Sequence, residues 1–290
     1  MDDGRTIMKV ESKSPKALVF NALKYLFLLF MCFWSLLPLY ACFVTAFKTK
    51  QEYQTTNVMM LPHSWSNFSN FITAWKDANM GLAFINSTLV LVVVLAGSIL
   101  FSSSIAYVLN RFKFPGNGII KTLFLFAALI PGVAMQVTVY RIMYSLQLIN
   151  TLYGYMILMM GTDVISIYIF IQFFDNLPVS LDESAILDGC TYFGVFFKIL
   201  LPNLKPAIVT CMILKGVSTY NEYYMANLYL QDKTTLQVIS TCLYTFTGPL
   251  GSQYNLICAG VIMSILPALI IFLAFQKQIY TGLVSGAVKG

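Results

Sequence analysis

A short polar segment between two long apolar stretches carries the residues best suited to contact a partner. It begins with the acidic pair Asp182 and Glu183, which is followed by helix-forming residues up to Gly189. Carboxylates in the first turn of a helix face the positive end of its dipole, so a helix is predicted to begin at this pair. Gly189 allows a turn, and Pro202 and Pro206 are predicted to end the segment and open the next helix.

The aromatic residues of this segment share one face. Phe193, Phe196 and Phe197 are spaced by three and four positions, as neighbours on one side of a helix are. The segment as a whole is too polar to cross a bilayer. It therefore predicts a helix-turn-helix between two membrane spans, with an exposed aromatic face that binds a partner.

The same segment resembles the coupling-loop signature of permease subunits of bacterial ATP-driven importers. That signature has Glu-x-Ala, then Asp-Gly, then Ile-x-Leu-Pro. The residues that fall on it in register are Glu183, Ala185, Asp188, Gly189, Ile199, Leu201 and Pro202. Ser184 stands where the family usually has Ala, and Cys190 stands where it has a small residue. An amphipathic surface loop is the alternative interpretation for the acidic motif taken alone.

The resemblance implies a role for the segment. Nucleotide-hydrolysing subunits are expected to dock on residues 182–202, with Glu183 pairing with a basic residue and the three phenylalanines filling a cleft. ATP and Mg²⁺ are then expected on these partner ATPase subunits. For Asp188, a hydrogen bond to nearby backbone explains the residue as well as a partner contact does.

Composition places the chain in a membrane. It has 290 residues, of which 58% are hydrophobic and 10% charged, against roughly 25% charged in an average soluble domain. Such a chain cannot cover itself with a water-facing surface, so an integral membrane protein is predicted. The net charge is +6, but the basic residues cluster at segment ends and form no nucleic-acid-binding surface. The six cysteines lack metal-type spacing and are interpreted as packing residues.

The sequence contains no motif for nucleotide binding or catalysis. It lacks the Gly-x-x-x-x-Gly-Lys-Ser/Thr phosphate loop, and its single histidine, His63, has no second histidine with which to share a metal. No Ser/His/Asp set and no pair of catalytic carboxylates stands out. We therefore expect no enzyme activity, no metal and no cofactor on this chain.

Six apolar runs predict an all-α membrane domain over residues 25–276. A polar, basic segment, 1–24, precedes this domain, and a tail, 277–290, follows it. The pair Pro131-Gly132 interrupts the third run, and residues 182–202 lie between the fourth and the fifth. The predicted spans are 25–47, 84–109, 119–145, 152–174, 206–228 and 254–276.

The distribution of basic residues predicts the orientation of these spans. With six spans, both termini lie on one side of the membrane. That side collects most of the lysines and arginines, whereas the other has Lys48, Lys50, Lys76 and Lys233, with Arg141 near its boundary. Basic residues are enriched in cytoplasmic loops, so the termini and the segment 182–202 are predicted to be cytoplasmic.

Polar residues inside the spans are candidates for a solute path, since an isolated polar group in hydrocarbon is costly. Their mixture of aromatic, amide and hydroxyl groups suits a sugar. For tyrosines near span ends, a place in the interfacial belt is the alternative. The candidates are Gln136, Arg141, Asp163, Ser166, Tyr168, Thr219, Tyr220, Asn221, Glu222 and Tyr223.

Four charges within the spans are predicted to form two ion pairs. At ~1.5 Å per residue, Asp163 and Lys215 lie at similar depths, ~17 and ~20 Å from the outer ends of their spans. Arg141 and Glu222 lie ~6 and ~9 Å deep by the same measure. Each pair would satisfy charges that lipid cannot.

The C-terminal tail extends the resemblance to the carbohydrate-importing branch, in particular to the shorter permease of maltose-type systems. The tail matches that family's Gly-x-x-x-Gly-x-x-Lys-Gly ending at Gly282, Gly286, Lys289 and Gly290. The resemblance implies the type I ABC importer fold in a bacterial cytoplasmic membrane. It also implies contact of Gly286, Lys289 and Gly290 with the ATPase interface.

The same resemblance implies a set of partners and a solute. They are a second, homologous permease, two ATPase subunits, and an external solute-binding protein that the loop 229–253 reaches. The expected solute is a di- or oligosaccharide, with a polyol or glycerol-phosphate as alternatives. A self-sufficient secondary transporter is a second hypothesis, but its inverted repeats are not evident in the sequence. A membrane-embedded enzyme, the third, lacks a set of catalytic groups.

Overall fold

A computed structural model describes residues 15–161, 163–249 and 251–287. Within these ranges the chain is helical and forms no strand. In chain order the helices are α1 (Pro15–Ala46), α2 (Lys50–Thr55), α3 (Ser69–Asp77), α4 (Met80–Arg111), α5 (Asn117–Leu129), α6 (Gly132–Ser145), α7 (Leu152–Met160), α8 (Val164–Asp175), α9 (Ser180–Leu187), α10 (Tyr192–Asn203), α11 (Lys205–Tyr220), α12 (Tyr224–Tyr229), α13 (Ile239–Cys242) and α14 (Tyr254–Ala287).

The described helices provide three to six candidate membrane spans. Helices α1, α4 and α14 are each long and apolar enough to cross a bilayer without interruption. Three bent pairs, α5 with α6, α7 with α8 and α10 with α11, reach the required length when each pair counts as one span. The bend between α5 and α6 is 101° and follows the predicted break at Pro131-Gly132, because proline removes a helical hydrogen bond.

Two predicted spans are not continuous helices. Over 152–174, α7 ends at Met160 and α8 begins at Val164. Over 206–228, α11 ends at Tyr220, before α12 begins. The helix of the sixth span is longer than predicted and continues through residue 276 to Ala287, since no proline follows Pro267.

Buried polar groups fix the end of the bundle that carries α2 and α3. The side-chain amide of Asn70 donates to the carbonyls of Ala46 at 2.8 Å and Lys48 at 2.7 Å, and its oxygen accepts from Asn255 at 2.9 Å. Lys48 is itself fully buried, and its ammonium group donates to the Asn57 carbonyl at 2.7 Å. These bonds satisfy the last carbonyls of α1 and tie α1 to α3 and α14.

The middle of the bundle is an apolar core between α4, α6, α7 and α12. Its largest buried side chains are Tyr155 and Tyr229. A tight turn joins α6 to α7, with Gln147 and Asn150 in the left-handed region (φ 55° and 57°). The backbone N–H of Asn150 donates to the Tyr229 carbonyl at 2.9 Å, so the turn is attached to α12.

Gly154 is required where this turn packs on the first turn of α7. A Cβ at that position would collide with the backbone carbonyl of Leu148, which has little freedom to move. We therefore expect Gly154→Ala to lower the free energy of unfolding by about 2 kcal/mol through overpacking.

Gly118→Ala is the matched control, because Gly118 lies in α5 and a Cβ there meets nothing within 4 Å. Alanine has a higher helix propensity than glycine, so this variant should be as stable as the wild type or slightly more stable. Heating purified protein with a thiol-reactive fluorophore measures both variants, since Cys211 and Cys242 are buried and free. Equal midpoints for the two variants would contradict the steric argument.

Candidate functional site

The predicted helix-turn-helix is present and lies at one end of the bundle. Helix α9 begins at Ser180, and Asp182 and Glu183 lie in its first turn, as the acidic pair predicted. A turn follows in which Gly189 has φ +86°, a conformation that residues with a side chain rarely adopt. Helix α10 comes next, and its N-cap Thr191 accepts the backbone N–H of Gly194 at 3.2 Å.

The outer surface of this segment is apolar with an acidic border. Leu187 and Phe193 are 87% and 78% exposed, the two highest values among the large apolar side chains given for the described residues. Glu183, Ser184 and Asp188 are also exposed around them. Large apolar side chains left in water beside a charge are typical of a surface that binds another protein.

The inner surface of the segment belongs to the protein core. Ala185, Phe196 and Leu200 are buried, and the ring of Phe196 lies 5.3 Å from that of Tyr107 in α4. Tyr107 also lies 5.9 Å from the ring of Phe174 in α8. The segment is therefore packed firmly on α4 and α8.

The prediction that Phe196 contacts a partner is wrong. A π-helical stretch, Val195–Leu200, changes the register of α10, so that Phe196 turns inward while Phe197 stays about half exposed. Among the other predicted residues of the segment, Ile199 and Leu201 are partly buried and Pro202 is exposed.

An arginine at the end of α4 joins the segment to two spans. Arg111 donates from Nε to a carboxylate oxygen of Asp182 at 2.8 Å. Its two terminal nitrogens donate to the carbonyls of Phe174 at 3.2 Å and Leu177 at 3.0 Å. Both charged side chains are more than nine-tenths buried, so this is a desolvated ion pair in which each guanidinium nitrogen donates a hydrogen bond.

Sequence reasoning missed this role of Arg111. In the sequence, Arg111 is one of the basic residues on the predicted cytoplasmic side and lies in the basic, aromatic exit of the second span, and Asp182 is a favourable start for a helix, but no contact between them was predicted. The available signal was their common position, since both residues lie where an apolar run meets the membrane surface on the same predicted side.

Neither predicted in-span ion pair is formed. In the described part of the chain, Asp163 does not pair with Lys215, and Arg141 does not pair with Glu222. Lys215 is partly buried, and Arg141 is exposed. The ion pair found among the described residues lies elsewhere and joins Arg111 to Asp182. Nε2 of His63 lies 4.0 Å from a carboxylate oxygen of Glu52.

The two carboxylates are used as helix caps. Asp163 precedes α8, and its carboxylate accepts from the hydroxyl of Ser166 at 2.8 Å and from the backbone N–H of Ser166 at 3.5 Å. Glu222 precedes α12 and accepts the N–H of Met225 at 2.9 Å. The depth argument failed because it assumed continuous helices, whereas the chain breaks beside both residues and exposes N–H groups that need acceptors.

Several predicted path residues join helices to each other. The hydroxyl of Tyr168 donates to the Lys121 carbonyl in α5 at 2.6 Å. The hydroxyl of Tyr220 donates to the Ser264 carbonyl in α14 at 2.8 Å. Thr219 is buried beside Tyr220. The hydroxyls of Tyr168 and Tyr220 are therefore occupied by contacts between helices, whereas the buried hydroxyl of Thr219 has no hydrogen-bond partner in the residues that the structure describes.

Two groups of polar and aromatic side chains do come together near the end of the bundle opposite α9. In the first, the hydroxyl of Tyr229 donates to the buried side chain of Gln136 at 3.2 Å, and Tyr140 lies 5.7 Å from the Tyr229 ring. Gln231 donates to the hydroxyl of Tyr140 at 3.0 Å. Only Gln136 was predicted, although the spacing of four residues to Tyr140 indicates a shared helix face.

The second group surrounds the break between α11 and α12. Tyr223 is exposed, and its ring lies 6.5 Å from that of Tyr244. The backbone carbonyl of Glu222 accepts from the hydroxyl of Ser240 at 2.8 Å, and Asn221 is exposed. Amide, hydroxyl and aromatic groups therefore line this end of the bundle.

The loop between α12 and α14 is ordered by Asp232. Its carboxylate accepts the hydroxyls of Thr234 and Thr235, both at 2.6 Å, and the N–H of Thr234 at 2.8 Å. These hydrogen bonds, that of the Thr234 hydroxyl first, hold the pKa of Asp232 below its ordinary value of 3.8. The loop is attached to the α6–α7 turn, because Asn150 accepts the backbone N–H of Asp232 at 2.7 Å.

The predicted tail contacts fall at the end of α14. Gly286 lies in the last turn of that helix, whereas Lys289 and Gly290 lie outside the described residues. Within the described ranges, no three His, Cys, Asp or Glu residues converge as a metal site requires.

Comparison with known proteins gives consistent matches over nearly the whole chain. Residues 17–284 match the family described as "Binding-protein-dependent transport system inner membrane component". The chain is 32% identical over 265 residues to the arabinooligosaccharides transport system permease protein AraQ of Halalkalibacterium halodurans, covering 90% of this chain and 94% of that protein. It is 30% identical over 258 residues to the melibiose/raffinose/stachyose import permease protein MelC of Bacillus subtilis, covering 88% and 91%.

A solved structure shares the fold. It is a crystal structure of a bacterial ABC transporter involved in the import of the acidic polysaccharide alginate. One chain of it superposes with a TM-score of 0.79 at 20% identity, covering 91% of this chain and 98% of that one.

The capping role of Asp163 has a direct test. Asp163→Asn retains an N-cap acceptor and should leave stability nearly unchanged, whereas Asp163→Ala should lower the free energy of unfolding by about 1 kcal/mol. Neither effect should change when Lys215→Met is added, so that the coupling energy of the double-mutant cycle stays below about 0.5 kcal/mol. Thermal unfolding with the thiol-reactive fluorophore supplies the four values. A coupling energy several times larger would indicate an ion pair between Asp163 and Lys215 and would contradict the capping role.

Proposed function

Because the chain belongs to the family of binding-protein-dependent transport system inner membrane components, we propose that it is the permease subunit through which an ABC importer moves a di- or oligosaccharide across a bacterial cytoplasmic membrane. The family match spans the chain from 17 to 284, and the superposition covers 91% of it. The predicted type I ABC importer permease fold is thereby confirmed, as is the prediction that the chain is a membrane component and not an enzyme.

The names of the relatives carry the assignment of the solute. Two of these relatives are permeases for arabinooligosaccharides and for melibiose, raffinose and stachyose. Another relative, 30% identical, is a probable permease for starch degradation products. All of these solutes are short saccharides. The side chains around Gln136, Tyr140 and Tyr223 offer the ring faces and hydrogen-bonding groups that a sugar requires.

The surface of α9 and α10 supports a docking role for this segment. Leu187 and Phe193 are free to enter a cleft on an ATPase subunit, with Glu183 available for a basic residue beside them. The buried inner surface of the segment makes it move as one body with α4 and α8. ATP and Mg²⁺ are bound by two such partner subunits, whose closure displaces the segment.

The remaining apolar surface supports a second permease as a partner. Large side chains along α1, α5 and α6 are mostly exposed, including Phe27, Leu123 and Val137 at 59%, 59% and 68%. A helix that is apolar all round is covered either by lipid or by another membrane helix. A heterodimer with a homologous permease covers part of this surface, and lipid covers the rest.

The orientation of the chain follows from the docking surface. ATP is available in the cytosol, so the α9 end is cytoplasmic and both termini lie on that side. The opposite end, with the loop 229–253, then faces the solute-binding protein on which the family depends. The excess of basic residues on the α9 side supports the same orientation.

Loss of the ATPase is the expected result of changing the docking surface. Glu183→Ala and Phe193→Ala should each weaken ATPase binding about tenfold or more, because one removes the charge that pairs with a basic residue and the other removes an apolar side chain that enters the cleft. The measurement is the amount of ATPase that co-purifies with the tagged chain in detergent. Asp77→Ala and Tyr144→Ala, exposed residues of the same kind outside α9 and α10, are the controls. Full retention of the ATPase by both test variants would contradict this docking site.

The solute assignment is tested by uptake in cells. A strain lacking this chain should lose uptake of one labelled saccharide from a panel of arabinotriose, raffinose and maltotriose, and the intact chain should restore it. Gly189→Val should not restore uptake, because φ +86° strains any residue with a side chain. Gly118→Ala is the control. Unchanged uptake of all three saccharides in the deletion strain would contradict the assignment.

A further inference from the structure

Helix α4 contacts functional surfaces at both of its ends. It has 32 residues, which corresponds to about 48 Å of helix. Its last residue is Arg111, whose guanidinium bonds Asp182 in α9. Near its first residues, Asn86 and Ser87 bond the loop between α12 and α14. One rigid element therefore joins the proposed ATPase-docking segment to the loop proposed to face the binding protein.

The contacts at the Asn86 end are direct and buried. The side-chain amide of Asn86 donates to the carbonyls of Thr235 and Gln237, both at 3.0 Å. The hydroxyl of Ser87 accepts the N–H of Ile239 at 2.8 Å. Asn86 and Ser87 are both more than nine-tenths buried. Backbone atoms of the loop make these bonds to side chains of α4. The loop must therefore move when α4 moves.

The contacts at the Arg111 end are equally specific. Arg111 bonds the carboxylate of Asp182, the carbonyl of Phe174 in α8 and the carbonyl of Leu177 after it, and Asn110 beside it donates to the carboxylate of Asp175. The second carboxylate oxygen of Asp182 is buried without a hydrogen bond, so the guanidinium is the main partner of that charge. A lysine in place of Arg111 would supply one point charge and not the planar fork that reaches three acceptors.

Two kinds of contact hold α9 and α10 to α4 and α8. Ala185 and Phe196 pack in an apolar core with Tyr107. Arg111 adds a buried charge pair and carbonyl bonds, which are directional and fix α9 relative to α4 and α8. Arg111 therefore sets how a displacement of α9 is passed to α4.

We propose that Arg111 is a positioning residue that couples the ATPase-docking segment to the loop 235–242 through α4, so that nucleotide binding on one side of the membrane changes the loop on the other. The inference rests on the proposed function. By linkage, occupation of the loop by the binding protein then changes nucleotide affinity in return.

Hydrogen–deuterium exchange on the whole transporter in nanodiscs tests this coupling. The complex is compared without nucleotide and with Mg-ADP-vanadate. In the wild type, nucleotide should change exchange both in 180–204 and in 235–242. In Arg111→Gln the change in 180–204 should persist, whereas the change in 235–242 should fall about fivefold or more. Arg111→Lys should resemble Arg111→Gln, since the fork is lost in both.

Two further variants separate coupling from general damage. Lys113→Gln removes a nearby exposed positive charge and should behave as the wild type. Asp182→Asn leaves the Arg111 bonds to α8 in place and should reduce the change in 235–242 as Arg111→Gln does. If Arg111 only stabilised the fold, its replacement would change exchange in 180–204 and in 235–242 equally, with and without nucleotide.

The possible results divide cleanly. Three results would overturn the inference alone. One is a nucleotide-dependent change in 235–242 that persists in the Arg111 variants, and another is an equal rise in exchange with and without nucleotide. The third is no nucleotide response of 235–242 in the wild type. Absence of a nucleotide response in 180–204 of the wild type would overturn the proposed docking and the inference with it.

Discussion

The scarcity of water inside a bilayer constrains every part of this structure. A backbone or side-chain polar group that lipid surrounds must find its partner within the protein. Where the spans are broken, the freed N–H groups are therefore met by carboxylates of the chain itself, Asp163 before α8 and Glu222 before α12. Where α1 ends, the amide of Asn70 takes the last carbonyls. Side chains of the protein itself therefore satisfy the backbone groups that helix ends and breaks expose.

The same constraint divides the α9 end of the bundle into two parts with different roles. Residues that face the bundle, among them Ala185 and Phe196, are buried against Tyr107 and hold the segment in place. Residues that face away, such as Leu187 and Phe193, are exposed, as the ATPase contact that we propose requires. A family signature records which residues recur but not the direction in which each side chain points. It therefore groups the buried residues of this segment with the exposed ones.

The sequence predicted features that depend on local chemistry. The acidic start of α9, the turn at Gly189 and the break at Pro131 follow from helix dipoles, glycine and proline, and each was found where it was expected. The missed features depend on distant partners. The charges of Asp163 and Glu222 suggested ion pairs because the breaks beside them carry no proline, and the inward turn of Phe196 depends on a π-helical register that spacing does not reveal. Arg111 was missed for the same reason, since its partners are 63 to 71 positions away in the chain.

In the heterodimer that we propose, the exposed helices α1, α5 and α6 have a consequence for how the transporter is assembled. Before assembly, the long apolar faces of these helices contact only lipid. Packing alone distinguishes poorly between one partner helix and another. Correct pairing then depends on synthesis of both subunits at the same place and time. An excess of either one leaves unassembled molecules for membrane quality control to remove.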